Sequence, residues 1–276
     1  MRLERLFSSL LLAGFCCSAQ TAATSAPSPA MGVIRGTRSV SVQGMTQLLE
    51  GAPYSGEQVM QSVQVLADGT RITRAASVMR KVYRDSAGRT RTEQTLGPTS
   101  LTGGAPLFFA DIRDPVARLG YILDPLQKIA YRFELQPPPN GQLTRRYTAP
   151  PASAAQVHEV SSTSVMSDGT ERKTEYLGEQ MIDGVLAEGR RTTTTYPKGY
   201  QGASALIVST SEMWMSRSLG ITIFSKTNDP RNGESTQKWN DLKASEPDLL
   251  LFQPPAEYRI VDATGPTVSI SYEIHR

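Results

Sequence analysis

The chain has 276 residues, with 29 Lys and Arg against 26 Asp and Glu, two histidines and two cysteines. A formal net charge of +3 argues against the broad basic face that duplex nucleic acid requires. The length is enough to bury one sizeable core without covalent staples.

Met1-Arg2-Leu3-Glu4-Arg5 is short and net positive, and Leu6 to Cys17 is apolar apart from Ser8 and Ser9. That run is too short for the roughly 20 residues a bilayer core needs. Cys17-Ser18-Ala19 then offers a small-x-small site. Together these describe a cleavable secretory signal over 1–19, cut after Ala19. Neither Phe15-Cys16 nor Cys16-Cys17 fits the Leu-small-small-Cys pattern of a lipid-anchored protein. Both cysteines lie in this leader, so the mature chain has no disulfide, thiolate metal site or cysteine nucleophile. Without Arg2, Arg5 and Glu4 the balance becomes 27 to 25, a net of +2. No later apolar run suffices for a transmembrane helix. The expected location is periplasmic or secreted, soluble after signal cleavage.

Residues 20–52 are rich in Ala, Ser, Thr, Gly and Pro. They bury too little to offset their ordering entropy and read as a flexible low-complexity segment, with a short strand at Arg38 to Val42. From 53 to 262 the pattern is one β domain. Gln58 to Leu66 carries Val59, Val63 and Val65 on one parity, and the turn Asp68-Gly69 returns it to Arg71 to Ala75. Ser77 to Arg84 and Arg89 to Thr95 flank the loop Asp85-Ser86-Ala87-Gly88. Phe108 to Arg113, Gly120 to Asp124 and Gln127 to Leu135 follow, punctuated by Asp114-Pro115 and Asp124-Pro125. A Pro-rich loop near 137–155 splits the strands into two groups.

Val157 to Met166 leads into Ser167-Asp168-Gly169. Arg172 to Met181 and Val185 to Tyr196 are joined by Ile182-Asp183-Gly184, a strong hairpin signal. Ile207 to Ser216, Ile221 to Thr227 and Ser235 to Lys243 complete a meander. Ser245 could cap a turn over Glu246 to Phe252, and 263–276 form a C-terminal extension that could be a strand. Val65-Leu66-Ala67-Asp68-Gly69-Thr70 is echoed by Val165-Met166-Ser167-Asp168-Gly169-Thr170, read as two copies of a favourable turn. The fold class is mostly β: a curved antiparallel sheet or unclosed barrel of about ten strands with little helix.

No catalytic constellation stands out. His158 and His275 lack the spacing of a metal site, and no cofactor is implied. Ser235-Thr236-Gln237-Lys238 fits a Ser-x-x-Lys pattern, but it sits in a late strand where that nucleophile requires a helix start. Arg71, Arg74, Arg80, Lys81, Arg84, Arg89 and Arg91 fall on both strand parities and read as a solvated face with protected edges rather than one anion patch. Met213, Trp214, Met215, Phe224 and Trp239 are the candidate ligand-binding residues, with an ordinary β core as the competing role for the same cluster.

Glu212-Met213-Trp214-Met215-Ser216, Leu219-Gly220-Ile221, Asp229-Pro230-Arg231, Leu251-Phe252-Gln253-Pro254-Pro255 and Tyr83-Arg84-Asp85-Ser86-Ala87-Gly88-Arg89 resemble a group of uncharacterised secreted bacterial proteins. More distantly, the meander ending in a Leu-Phe-x-x-Pro segment is similar to the LolA, LolB and RseB superfamily of envelope lipoprotein carriers and sensors. That resemblance implies an unclosed barrel with a helical lid over a hydrophobic cavity; this chain has few lid helices and no lipobox. The expected function is non-enzymatic: an envelope protein holding an apolar or amphipathic ligand, such as a lipid or a lipoprotein, in a sheet concavity. The alternative is a structural or protein-interaction module that pairs with an envelope protein and takes no small ligand.

Overall fold

The structure is a computed structural model and describes residues 33–42, 47–66, 68–96, 107–139, 141–148 and 161–275. The expected signal peptide, the segment 20–32 and His158 lie outside these residues, as does part of the Pro-rich loop. The compact unit runs from Val33 to Arg276.

β1 (Val33–Ser41) and β2 (Leu48–Glu50) precede a meander of β3 (Tyr54–Val65), β4 (Arg71–Arg84), β5 (Thr90–Thr95), β6 (Phe108–Asp114), β7 (Leu119–Asp124) and β8 (Ile129–Glu134). After β9 (Thr144–Arg146), a second meander contains β10 (Ser161–Val165), β11 (Glu171–Ile182), β12 (Val185–Tyr196), β13 (Ile207–Ser216), β14 (Ile221–Asp229) and β15 (Gly233–Lys243). β16 (Arg259–Asp262) and β17 (Thr267–His275) end the chain. The two meanders join edge to edge through β15 and β3, giving one 13-stranded sheet in the order β10-β11-β12-β13-β14-β15-β3-β4-β5-β6-β7-β8-β16. It is curved, antiparallel except for the parallel β8–β16 pair, and does not close.

The strands number seventeen among the described residues, not about ten. Most of the surplus is short or pairs far along the chain: β1 with β17, β2 with β9, β16 with β8. Within 20–52, read as a flexible segment with a short strand at Arg38 to Val42, the structure places β1, which overlaps that strand and starts five residues earlier, and β2. In the opposite direction, the two runs expected at Arg71 to Ala75 and Ser77 to Arg84 form one 14-residue strand. Register shifts at Gln58/Val59 and Met60/Ser62 let β4 pair with β3 along that length. The 3-10 turn Leu249–Phe252 starts not at Ser245 but at Asp248, whose carboxylate accepts from the Leu250 N–H at 2.9 Å.

The turns follow from their residues. Asp183 and Gly184 both adopt positive φ (49° and 78°), as a two-residue hairpin with right-handed strand twist requires. The echoed Asp-Gly-Thr turns are alike in detail. Leu66 N–H donates to the Thr70 carbonyl and Thr70 N–H to the Asp68 carboxylate; Met166, Thr170 and Asp168 repeat both bonds.

Three clusters hold the sheet. β6, β7 and β8 are buried on both faces. One face packs Phe109, Ile122 and Phe133 under Val268 and Ile270 of the β1–β17 ribbon. The other packs Ala110, Ile112, Leu123 and Ala130 against Phe252 of the 3-10 turn. A third cluster gathers Tyr54, Val82, Val185, Ala187, Trp214, Leu219, Ile223 and Trp239. β10, and the stretches of β12 and β13 from Arg190 to Tyr196 and from Ile207 to Met213, contribute to none of these clusters. Among the described residues, that end of the sheet is a single layer.

Candidate functional site

The third cluster borders an open groove of about 500 Å3 that crosses β13, β14, β15, β3 and β4. Register puts its residues on one side of successive strands. Met213 lies opposite Ser225 and Ser225 opposite Gln237; one row away, Ser211 lies opposite Thr227. A further row runs from Trp239 to Gln58 to Arg80. Tyr54 and Trp239 line the floor, with their rings edge to face at 5.6 Å, and the Trp239 indole N–H donates to the Thr222 carbonyl at 2.7 Å. Ile221 and Met213 line the other end.

Two thioethers reach polar groups around the groove. The Thr222 hydroxyl donates to the Met213 sulfur at 3.6 Å, and the Gln237 side-chain N–H lies 3.9 Å from the Met79 sulfur. Met79 is the extra residue of the Gln58/Val59 register shift in β4. Met60 sits opposite Gln237 and is 39% exposed. Flexible, polarizable methionines suit a surface that adapts to an apolar partner.

The electrostatics are one-sided. Arg80 donates from Nε to the buried Gln58 amide oxygen at 2.7 Å. Arg84 is buried against Tyr54, its guanidinium 4.7 Å from the ring centre, and donates to the carbonyls of Ala52 and Leu219. Burial lowers the Arg84 pKa. Burial also raises the Tyr54 phenol, opposed by the charges of Arg84 and Arg80. The basic stretch of β4 and β5 is therefore not a uniformly solvated face. Lys81 pairs with Glu57, Arg89 with Asp85 and Asp114, and Arg91 with Glu93.

Of the five candidate residues, Met213 and Trp239 line the groove. Trp214 is buried in the third cluster, with its indole N–H on Glu212, and Phe224 packs half-buried against that cluster. Met215 is 47% exposed, beyond a register shift at Trp214/Met215. Seven of the eleven lining residues are polar: Gln58, Arg80, Ser211, Thr222, Ser225, Thr227 and Gln237. The groove is thus amphipathic, where the sequence suggested an apolar cavity. Sequence reasoning missed Tyr54, Gln58 and Arg80; the one available signal was their shared even-numbered parity with Val78 and Val82 on neighbouring strands. Among the described residues, no group of three or more His, Cys, Asp or Glu is placed to hold a metal ion, and no helix is long and apolar enough to cross a membrane.

No protein-family model matches the chain, and no curated protein matches it. Solved structures do. MucB in complex with the periplasmic part of MucA aligns over 76% of this chain at 14% identity with a TM-score of 0.33, and this chain spans only 57% of that one. A putative lipoprotein from Parabacteroides distasonis aligns over 73% of this chain and all of its own, at 11% identity and a TM-score of 0.29. A LolA superfamily protein from Nitrosomonas europaea aligns over 74% of this chain and 90% of its own, at 10% identity and a TM-score of 0.25.

Proposed function

We propose that this is an exported, non-enzymatic envelope protein that binds an amphipathic ligand, a lipid or the lipid-bearing part of a lipoprotein, in the groove over β13, β14, β15, β3 and β4. The observation that carries the reading is the groove itself. About 500 Å3 of open space lies over an aromatic floor of Tyr54 and Trp239 with Met213 at one end, within the size range of small-molecule sites. The leader over 1–19 supports export. Met213 and Trp239 are ligand contacts in this proposal; Trp214 and Phe224 support the floor from the core behind it.

Native mass spectrometry of the protein, purified from the envelope without detergent and followed by solvent extraction, tests the reading. The expected result is a reproducible extra mass that extracts as a lipid, and its loss in Ser225→Trp, which fills the groove between Met213 and Gln237. A clean apo mass from gently handled wild-type protein would remove the ligand.

A second reading has its own observation. β10 (Ser-Ser-Thr-Ser-Val) is the outer strand of the sheet and carries no charge, and Val165 is 69% exposed. The opposite edge, β16, is blunted by Arg259 and by Asp262, which pairs with Arg132. Unprotected edges accept a further strand. If the apo mass is clean, Thr163→Lys on β10 should abolish capture of an envelope protein partner that the wild type retains.

A further inference from the structure

We infer that the groove selects amphiphiles with an anionic head, carboxylate or phosphate, and that Arg80 is the residue that reads it; this rests on the groove being the ligand site. Three observations converge on Arg80. It lines the groove. Among the described residues no carboxylate lies within ion-pair distance of it, although its neighbours Lys81, Arg89 and Arg91 are all paired. Its guanidinium is also aimed: Nε is held by Gln58, a side chain only 6% exposed. Fixing Nε on a buried amide leaves the two terminal nitrogens as a fork, the geometry that carboxylate and phosphate accept in pairs.

The surroundings strengthen the preference. Arg84 is a second cation with no carboxylate partner among the described residues, buried behind the Tyr54 ring, and the Tyr54 phenol feels both charges. A cation that gains no internal counter-ion while its neighbours do leaves that end of the groove electropositive, and an incoming anion removes the imbalance. From Arg80 on β4 to Met213 on β13 there are four strand steps, about 19 Å at the usual strand spacing. The order along that line is cation, aromatic floor, then Ile221 and Met213. A ligand with one anionic head and one apolar chain matches that order.

Titration calorimetry on the purified protein tests this with dodecyl phosphate, laurate, neutral dodecyl maltoside and inorganic phosphate, each amphiphile below its micelle concentration. The expected result is that dodecyl phosphate or laurate binds at least about tenfold more tightly than the maltoside, as a charge-assisted pair implies. The stronger of the two anionic probes identifies the head. Arg80→Gln should erase the difference between the anionic amphiphiles and the maltoside, in protein that still unfolds in one cooperative transition. Arg80→Lys should restore part of it. Equal affinity for charged and neutral amphiphiles, or a preference that survives Arg80→Gln, would overturn the inference and leave the groove reading standing. Failure of every amphiphile to bind would remove both. Displacement of dodecyl phosphate by an equal concentration of inorganic phosphate would assign Arg80 to a free anion and overturn the amphiphile.

Discussion

Asp229 shows how one side chain sets a pH limit. Its carboxylate accepts from the Arg231 backbone N–H at 2.8 Å and from the guanidinium at 3.0 and 2.7 Å, while the guanidinium stacks on Tyr196 at 4.5 Å. The Arg231 bonds hold the carboxyl down at about 2. Because the folded value lies below the unfolded one, the stabilisation is fully present above the ordinary carboxylate range near pH 4 and is lost as pH falls through about 2. Acid titration of unfolding free energy should therefore be shallower over that window in Asp229→Asn. The variant should also be less stable at pH 7 by about 1 kcal/mol, a figure discounted for the solvent that reaches Arg231. Glycines facing aromatic rings are a second residue-scale device. Gly36, Gly120 and Gly189 lie directly opposite Tyr272, Phe133 and Trp214 on the neighbouring strands, and each ring covers its glycine. A methyl group at Gly189 would sit 2.6 Å from the Trp214 ring. Gly189→Ala should cost about 1–3 kcal/mol by displacing that ring, measured by denaturant unfolding and by the shift in tryptophan emission.

Elements were legible where local chemistry specified them. The β11–β12 hairpin was readable because Asp183-Gly184 can take the two positive φ angles and the Thr192 to Thr195 run favours extended backbone. β2, β9 and β16 were not readable. Each has three or four residues, and each lies in a parallel pair that no turn announces. β1 was legible only in its second half, from Arg38; the Val33 to Thr37 half carries no strand signal of its own and is ordered by a nine-pair register with β17. The ribbon these two form is a core layer, not a decoration. Ile270 is fully buried in the cluster beneath it, while Ile260 on the edge strand β16 is 49% exposed. Ile270→Ala should cost about 2–5 kcal/mol and Ile260→Ala less than about 0.5 kcal/mol, compared by chemical denaturation under the same conditions.

Over the whole molecule, stability is distributed unevenly. β6 to β8 are covered on both faces, whereas β10 is exposed along its length and, among the described residues, β10 and the outer reaches of β11 to β13 add nothing to a buried apolar cluster. Native-state hydrogen exchange should show β10 and the first half of β11 opening at small free energies, with β7 exchanging only through global unfolding; uniform protection across the sheet would contradict this. The same architecture explains why the site was only partly legible. Trp239 and Met213 announce themselves by size, but Gln58, Arg80, Ser225 and Gln237 have the alternation of any solvated strand. Only the joining of β15 to β3, two segments far apart in sequence, places them in one groove. Such pairings also govern how the molecule is made. Arg35 bonds to Glu273 across 238 positions, and neither meander gains its neighbour at the central seam until β15 is available. Loop closure of that length is slow compared with hairpin formation. Refolding of the denatured chain should accordingly show protection of the hairpins before protection of β1 and β17, the pair that joins its most distant segments.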